Sequence, residues 1–243
     1  PGVHTPFMER GFEARRAVVL EKAARIRADV EGVVKAGDFP LTVAGDHSIA
    51  AGSIRGFAEG KNAHGKIGVL WVDAHADMNT PETTVSGSYH GMPVAALLGL
   101  GDAAYCGPKA VLRPEHVCIL GGRDIDPPEV ALIERLGVRM IGMDEIAAKG
   151  LQACMAEALA HISKGADYKV MSFDTDSLWP ADFTLATGTP VPGGIDPDEM
   201  LAALKALPRG CFDMIELVEV NPALGNISRT AELAIKLLEA AVL

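Results

Sequence analysis

The chain has 243 residues, of which 49% are hydrophobic and 22% charged, so it is not a disordered polymer and can bury a sizeable core. Its 22 basic and 32 acidic side chains give a formal charge of −10, which argues against non-specific binding to nucleic acid or an anionic membrane. No apolar run reaches the ~18 residues of a membrane span, and the opening stretch from Pro1 to Arg16 has no apolar signal-peptide core.

The first predicted element is a long helix. Val19, Ala23, Ile26, Val30 and Val33 recur at spacings of three and four, one apolar face, with Gly37 as the stop. A short strand over Leu41–Ala44 runs into Gly45-Asp46-His47-Ser48. A second, Ile67–Val72, is nearly all apolar, as expected for a strand covered on both faces, and ends in Asp73-Ala74-His75-Ala76-Asp77. Strands over Val117–Leu120 and Val138–Ile141 follow. Lys169–Phe173 runs into Asp174-Thr175-Asp176, and Met214–Val218 ends at Glu219-Val220-Asn221-Pro222. A last helix places Ala231, Ala234, Leu238 and Ala241 on one face. This alternation predicts an α/β fold, a three-layer αβα sandwich around a mainly parallel sheet. No repeat, low-complexity tract or linker divides the chain, so residues 1–243 read as a single domain. Cys106, Cys118, Cys154 and Cys211 form no CxxC pair and read as free thiols, which predicts a cytoplasmic location.

In such sheets, sites lie beyond the carboxyl ends of the strands. The polar runs sit there: His47, Asp73, His75, Asp77, Asp174 and Asp176 offer carboxylates and imidazoles from three strand ends. In a strand, residues i, i+2 and i+4 share a face, which suits the Asp73, His75 and Asp77 spacing. Several converging carboxylates without cations would raise one another's pKa strongly. Two divalent cations would balance them, and oxygen-rich ligands with imidazole and no thiolate favour Mn²⁺ or another hard-to-borderline ion over a structural zinc. Water held between two ions roughly 3.5–4 Å apart becomes a nucleophile at neutral pH. Taken singly, Gly45–Ser48 is also a plausible helix N-cap and the Asp174–Asp176 pair a common loop feature. It is the recurrence after three buried strands that points to metal. His4, His64, His116 and His161 have no comparable setting and read as surface or structural.

These segments resemble the arginase family of ureohydrolases. The family's GGDHS, DAHxD and SxDxDxxDP motifs stand here as AGDHS, DAHAD and SFDTDSLWP, and the likeness runs from about Val19 to the C-terminus. The resemblance implies two Mn²⁺ per chain. Asp73 and Asp174 would bridge them, with His47 and Asp77 on one ion and His75 and Asp176 on the other. It further implies hydrolysis of L-arginine to L-ornithine and urea by a metal-bridging hydroxide that Asp77 holds by a hydrogen bond. The run from Asn79 to Gly91 resembles the loop that grips the substrate α-carboxylate, which assigns Asn79, Thr84 and Ser86 to that group. His90 matches the family's proton-shuttling histidine. Arg123-Asp124-Ile125-Asp126-Pro127-Pro128-Glu129 resembles RDxDPxE, which assigns Asp126 and, through water, Glu129 to the α-ammonium. Glu219 of EVNP would pair with the guanidinium, and Thr189 of ATGTP would line the pocket.

Three departures stand out. Ala44 replaces a glycine. In SFDTDSLWPADF, Ser177 and Trp179 replace glycine and aspartate, with one residue inserted before Phe183. The family also places a first strand region of about sixty residues ahead of Val19, so the sheet is expected to lack it and to expose an edge or a helix face. By family likeness the chain forms a trimer or hexamer. The alternatives are another ureohydrolase, acting on agmatine or a guanidino acid, and a catalytically weak metal-binding homologue. The Asn79–His90 loop speaks against agmatine, which has no α-carboxylate.

Overall fold

The computed structural model describes residues 11–179, 187–221, 223–224 and 227–242, with the backbone alone at 227. Helix α1 spans Phe12–Ala36 and ends at Gly37, whose φ of 86° is the left-handed stop that the sequence implied. Strand β1 (Leu41–Val43) follows, then a 3₁₀ turn over His47–Ile49 and α2 (Ala50–Lys61). Strand β2 is Ile67–Val72. Short helices α3 (Pro93–Leu97) and α4 (Ala103–Cys106) lead to β3 (Val117–Leu120). Then come α5 (Pro127–Leu136), β4 (Arg139–Ile141), α6 (Met143–Lys149), α7 (Leu151–Ile162) and β5 (Tyr168–Asp174). Helix α8 (Pro197–Lys205), β6 (Met214–Val218) and α9 (Ile227–Val242) complete the order.

All six expected strands form, three with the expected bounds and three with ends shifted by one residue, in one sheet of order β1-β6-β5-β2-β3-β4. Every pairing is parallel. Strand β2 leads outward to β3 and β4, whereas its other neighbour β5 leads to β6. The order therefore reverses between β2 and β5, and the crevice beyond their carboxyl ends is where an open α/β sheet places its ligands. Alternate side chains feed two cores. Leu70, Val72, Leu120, Phe173 and Leu217 pack against residues of α7, α8 and α9. Val69, Trp71, Ile119, Val170 and Met214 pack against residues of α1, α2 and α5. This is the three-layer sandwich expected from the alternation.

Two helix faces differ from the sequence expectation. In α1, Val34 is buried and Val33 exposed, because contact with α2 follows Val19, Val30 and Val34. In α9 the buried line is Thr230, Leu233 and Leu237, while Ala231 is exposed and Ala234, Leu238 and Ala241 are half-buried. The long apolar side chains turn inward ahead of the alanines. Strand β1 also departs from two-sided burial: it lies at the sheet edge, with Leu41 48% and Val43 58% exposed. Among the described residues no helix is long and apolar enough to cross a membrane. The four cysteines are free; three are buried and Cys211 is half-buried. His116 is buried and His64 and His161 are half-buried, away from the site, while His4 lies outside the described residues.

Candidate metal centre and active site

Three strand ends deliver the six sequence-predicted ligands to one place. After β1, Asp46 Oδ1 accepts the Ser48 N–H at 2.9 Å, closing the turn that carries His47. The capping reading and the site reading of that run hold together. After β2, Asp73 Oδ1 accepts the His75 N–H at 2.7 Å. After β5, Asp174 Oδ1 accepts the Asp176 N–H at 2.8 Å. His47, Asp73, Asp77, Asp174 and Asp176 are all buried, and His75 is half-buried. Two non-glycine residues of the region sit in the left-handed backbone region, Asp77 at φ 54° and Glu219 at φ 58°. Such strain is found where the surroundings force a side chain into a required place.

The geometry around His47 bears on whether cations fit. Its Nδ1 lies 3.2 Å from Asp73 Oδ2, 3.1 Å from Asp77 Oδ2 and 3.1 Å from Asp174 Oδ2. One nitrogen carries at most one proton and cannot donate to three carboxylates. The buried Asp77 Oδ2 has no hydrogen-bond partner among the described residues. His75 Nδ1 lies 3.3 Å from Asp73 Oδ1 and 3.2 Å from Asp176 Oδ2. Two ligand groups result, His47–Asp73–Asp77 and Asp73–His75–Asp176, each with its atoms within 4.8 Å of one another. Asp73 is common to both and turns one oxygen to each imidazole. Asp174 borders the first group through Oδ2 alone, since Oδ1 is engaged by the Asp176 N–H. Hard oxygen donors with imidazole are the donor set of two divalent cations, and these residues fit them.

Electrostatics carry the same message. Burial pulls the His47 imidazole toward neutrality, but Asp174, Asp73 and Asp77 outweigh it and hold its pKa well above the ordinary value. His75 is pushed up to about 12, again against burial, by Asp176 and Asp73. Burial and the Asp73 charge raise Asp77 to about 7. Burial and neighbouring aspartates also raise Asp174 and Asp176. The cluster concentrates buried negative charge, which divalent cations would offset.

The remaining predicted residues ring the same space. Of all the predicted site residues, ligands included, only Asp73 and Glu219 do not line one shared cavity of about 210 Å³. Asp73 lies beneath it, and Glu219 stands beside it with Oε1 accepting the His47 N–H at 2.8 Å and 3.8 Å from His90 Nδ1. Burial opposes charge on His90, but Glu219, Asp46 and Asp77 prevail and raise it to about 9. Asn79 Nδ2 donates to Asp126 Oδ2 at 2.9 Å, joining the two halves of the expected amino-acid grip. Both Glu129 oxygens accept backbone N–H groups, from Met78 at 2.9 Å and Asp126 at 3.0 Å. Thr84 and Ser86 close a turn through the Gly87 and Ser88 N–H groups. Thr189 donates to Asp176 Oδ2 at 3.0 Å.

Several organising residues escaped the sequence reading. Trp71 Nε1 donates to Asp73 Oδ2 at 3.0 Å. Arg123, noted only as part of a run, donates to the carbonyls of Gly121, Asp176, Ser177, Val191 and Pro192 and so ties three loops together. Ser53, Ser172 and Glu216 form a buried polar group behind His47. The one signal for the last two was a polar residue inside an otherwise apolar strand. Trp179 does not line the cavity; its N–H donates to Ile195 O at 2.8 Å. Phe183 and the inserted residue lie outside the described residues.

A parallel α/β sheet with carboxylates and imidazoles gathered at its switch point defines the class, an open α/β fold with a candidate metal centre. The arginase family model matches residues 11–243. The arginase of Brevibacillus brevis is 41% identical over 225 residues, covering 90% of this chain and 74% of the relative. Human arginase-1 is 36% identical over 234 residues, covering 89% of this chain and 70% of the relative. The solved arginase of Bacillus caldovelox superposes with a TM-score of 0.86 at 36% identity, covering 98% of this chain and 78% of that one. The chain belongs to the arginase family and is an arginase-type hydrolase.

Proposed function

We propose that this chain hydrolyses L-arginine to L-ornithine and urea with two Mn²⁺ bound, His47, Asp73, Asp77 and Asp174 holding one and Asp73, His75, Asp174 and Asp176 the other. The observation that carries the reading is the meeting of Asn79, Thr84, Ser86 and Asp126 with both ligand groups around a single cavity. When bound, the cations supply Lewis acidity and a water acidified toward neutral pKa. Asp77 accepts a hydrogen bond from the attacking water and orients it. Glu219 pairs with the guanidinium, which stays charged at every relevant pH, and holds its carbon in reach of attack. His90, whose Nδ1 lies 3.8 Å from Glu219 Oε1, is placed to give a proton to the departing amine. Asn79, Thr84 and Ser86 donate to the α-carboxylate, and Asp126 and, through water, Glu129 receive the α-ammonium. Thr189 packs the pocket wall beside Asp176. The free thiols suit a cytoplasmic enzyme of one catalytic domain, and the exposed Leu41 and Val43 suit a trimer or hexamer.

The test is urea release with Mn²⁺ from L-arginine, agmatine and guanidinobutyrate side by side. Preference for L-arginine is expected. Urea mainly from agmatine would remove the carboxylate-binding role of the Asn79–Ser86 loop. No urea from any of the three, with two metals bound, would make the chain a non-catalytic metal-binding homologue.

A further inference from the structure

Behind His47, on the side away from the aspartates, a hydrogen-bond chain runs into the sheet. His47 Nε2 lies 2.8 Å from Ser172 Oγ, Ser172 Oγ 2.7 Å from Glu216 Oε1, and Ser53 Oγ 2.5 Å from Glu216 Oε2. Ser53, Ser172 and Glu216 are each 0% exposed, and His47 is 1% exposed. None of the three lines the cavity or belongs to the ligand groups. Strand register creates the arrangement: Trp71 on β2 pairs with Ser172 on β5, and Ser172 with Glu216 on β6. The row lies one step below the level of Asp73 and Asp174, each two residues further along its strand. An ionisable side chain in the middle of a buried parallel sheet is costly, and packing alone gives no reason for it.

The direction of the chain follows from what each group can donate. Burial raises the Glu216 pKa, which His47 and the two serine hydroxyls oppose; a hydroxyl at each oxygen is the donor set that an ionised carboxylate requires. Glu216 therefore accepts the Ser172 proton, and Ser172 turns a lone pair to His47 and accepts its Nε2–H. The other ring nitrogen, Nδ1, is then the one left to take a cation, and it faces Asp73, Asp77 and Asp174. An imidazole ligates a cation only through an unprotonated nitrogen, and the hydrogen bond made by the other nitrogen selects which one that is.

We propose that Glu216 is a positioning residue that acts through Ser172 to fix His47 in the tautomer that ligates the cation of the His47–Asp73–Asp77 group. Ser53 orients Glu216. The inference rests on the metal-centre part of the proposed function and is independent of the substrate.

Mn²⁺ titration of the purified full chain by calorimetry, with bound metal counted by elemental analysis, tests this without turnover. Glu216→Met keeps the length of the side chain but offers no acceptor, so the Ser172 proton turns back on His47 Nε2 and selects the wrong tautomer. One of the two Mn²⁺ sites should weaken by about 10–100-fold while the other holds. Ser172→Ala removes the acceptor of Nε2–H and should weaken the same site, which keeps the test open if the methionine variant does not fold. Glu216→Gln retains a carbonyl for Ser172, with Ser53 free to turn to Ala50 O at 3.3 Å, and should restore most of the affinity. Native affinity at both sites in Glu216→Met and Ser172→Ala would overturn the proposal. So would equal losses in the methionine and glutamine variants, or joint loss of both sites. A wild-type chain that binds two Mn²⁺ but releases no urea would sink the substrate assignment and leave this inference standing. Urea release with unaffected variants would do the reverse.

Discussion

The indole of Trp71 lies flat against the imidazole of His47, with ring centroids 4.1 Å apart and 4° between the planes. The same indole donates Nε1–H to Asp73 Oδ2, so one side chain sets both the plane of an imidazole and the orientation of the carboxylate shared by the two ligand groups. Trp71→Phe keeps a stacked ring and loses the donor. Mn²⁺ affinity should fall by about 10–100-fold with the fold retained, as read by metal titration and circular dichroism. Trp71→Ala also opens a cavity in a fully buried position and should cost about 3–5 kcal/mol in urea unfolding. Unchanged metal affinity in Trp71→Phe would show that stacking alone holds the site.

His75 stands with Asp176 and one Asp73 oxygen, apart from His47. His75→Ala should therefore lose one metal equivalent and keep the second, because His47, Asp77 and the other Asp73 oxygen are untouched. Elemental analysis after dialysis reads the stoichiometry. Two equivalents retained would mean that the carboxylates suffice for that ion.

Asp126 couples the expected α-ammonium contact to Asn79. Asp126→Ala removes a charged acceptor, worth about 1.5–3 kcal/mol, from a group far from the reacting carbon. KM for L-arginine should rise by about tenfold or more, with kcat changed less than KM. An unchanged KM would take Asp126 out of substrate binding.

Strand ends and the runs of candidate ligands were legible because they obey short-range rules. Asp73, His75 and Asp77 follow directly on an apolar run, although the segment bends there, with Asp77 at a left-handed φ of 54°, and does not stay extended. What lay hidden depends on register between strands distant in sequence. Nothing local to Met214–Val218 says that Glu216 stands beside Ser172, or that Trp71 lies on the other side of Ser172. The α1 face was misread by one residue at Val33 because the contact with α2 drifts around a helix of 25 residues, where a fixed repeat does not. The Arg123 tie was invisible for a different reason. It gathers carbonyl groups, and backbone acceptors leave no mark on sequence.

Arg16 on α1 forks onto Asp102, with Nε 2.6 Å from Oδ2 and Nη2 2.9 Å from Oδ1, and Tyr89 Oη donates to the same carboxylate at 2.7 Å. The Arg16 hydrogen bond, aided by Tyr89, outweighs burial and lowers the Asp102 pKa to about 2 from an ordinary 3.8. A carboxyl depressed on folding contributes stability that is complete above its unfolded pKa and is lost as pH falls through its folded one. The contribution should therefore be present at pH 5 and fade between about pH 4 and pH 2. Screening at the partly exposed Arg16 keeps the contribution small. Asp102→Asn should show that loss at pH 7 and converge with the parent near pH 2, in urea titrations across that range. A constant difference down to pH 2 would assign the loss to packing.

Helices α1 and α2 approach so closely that a Cβ on Gly52 would lie 2.3 Å from Ala23 O, and one on Gly56 2.3 Å from Arg27 O. These are backbone atoms, so no rotamer change relieves the overlap and one helix must move. Gly52→Ala should cost about 3 kcal/mol or more, lowering Tm by roughly 6–12 °C for a chain of this size. Gly32, also inside a helix, has nothing within 4 Å of its would-be Cβ. There an alanine removes only the entropy that glycine loses on folding, and Gly32→Ala should stabilise by about 0.4–1 kcal/mol. Opposite signs for the same substitution, measured by calorimetry, would show that the helix contact and not glycine content sets the cost. Because Ser53 follows Gly52 and its hydroxyl holds Glu216, displacement of α2 in Gly52→Ala should also weaken Mn²⁺ at the His47 side. Native metal affinity in that variant would show that α1, not α2, yields.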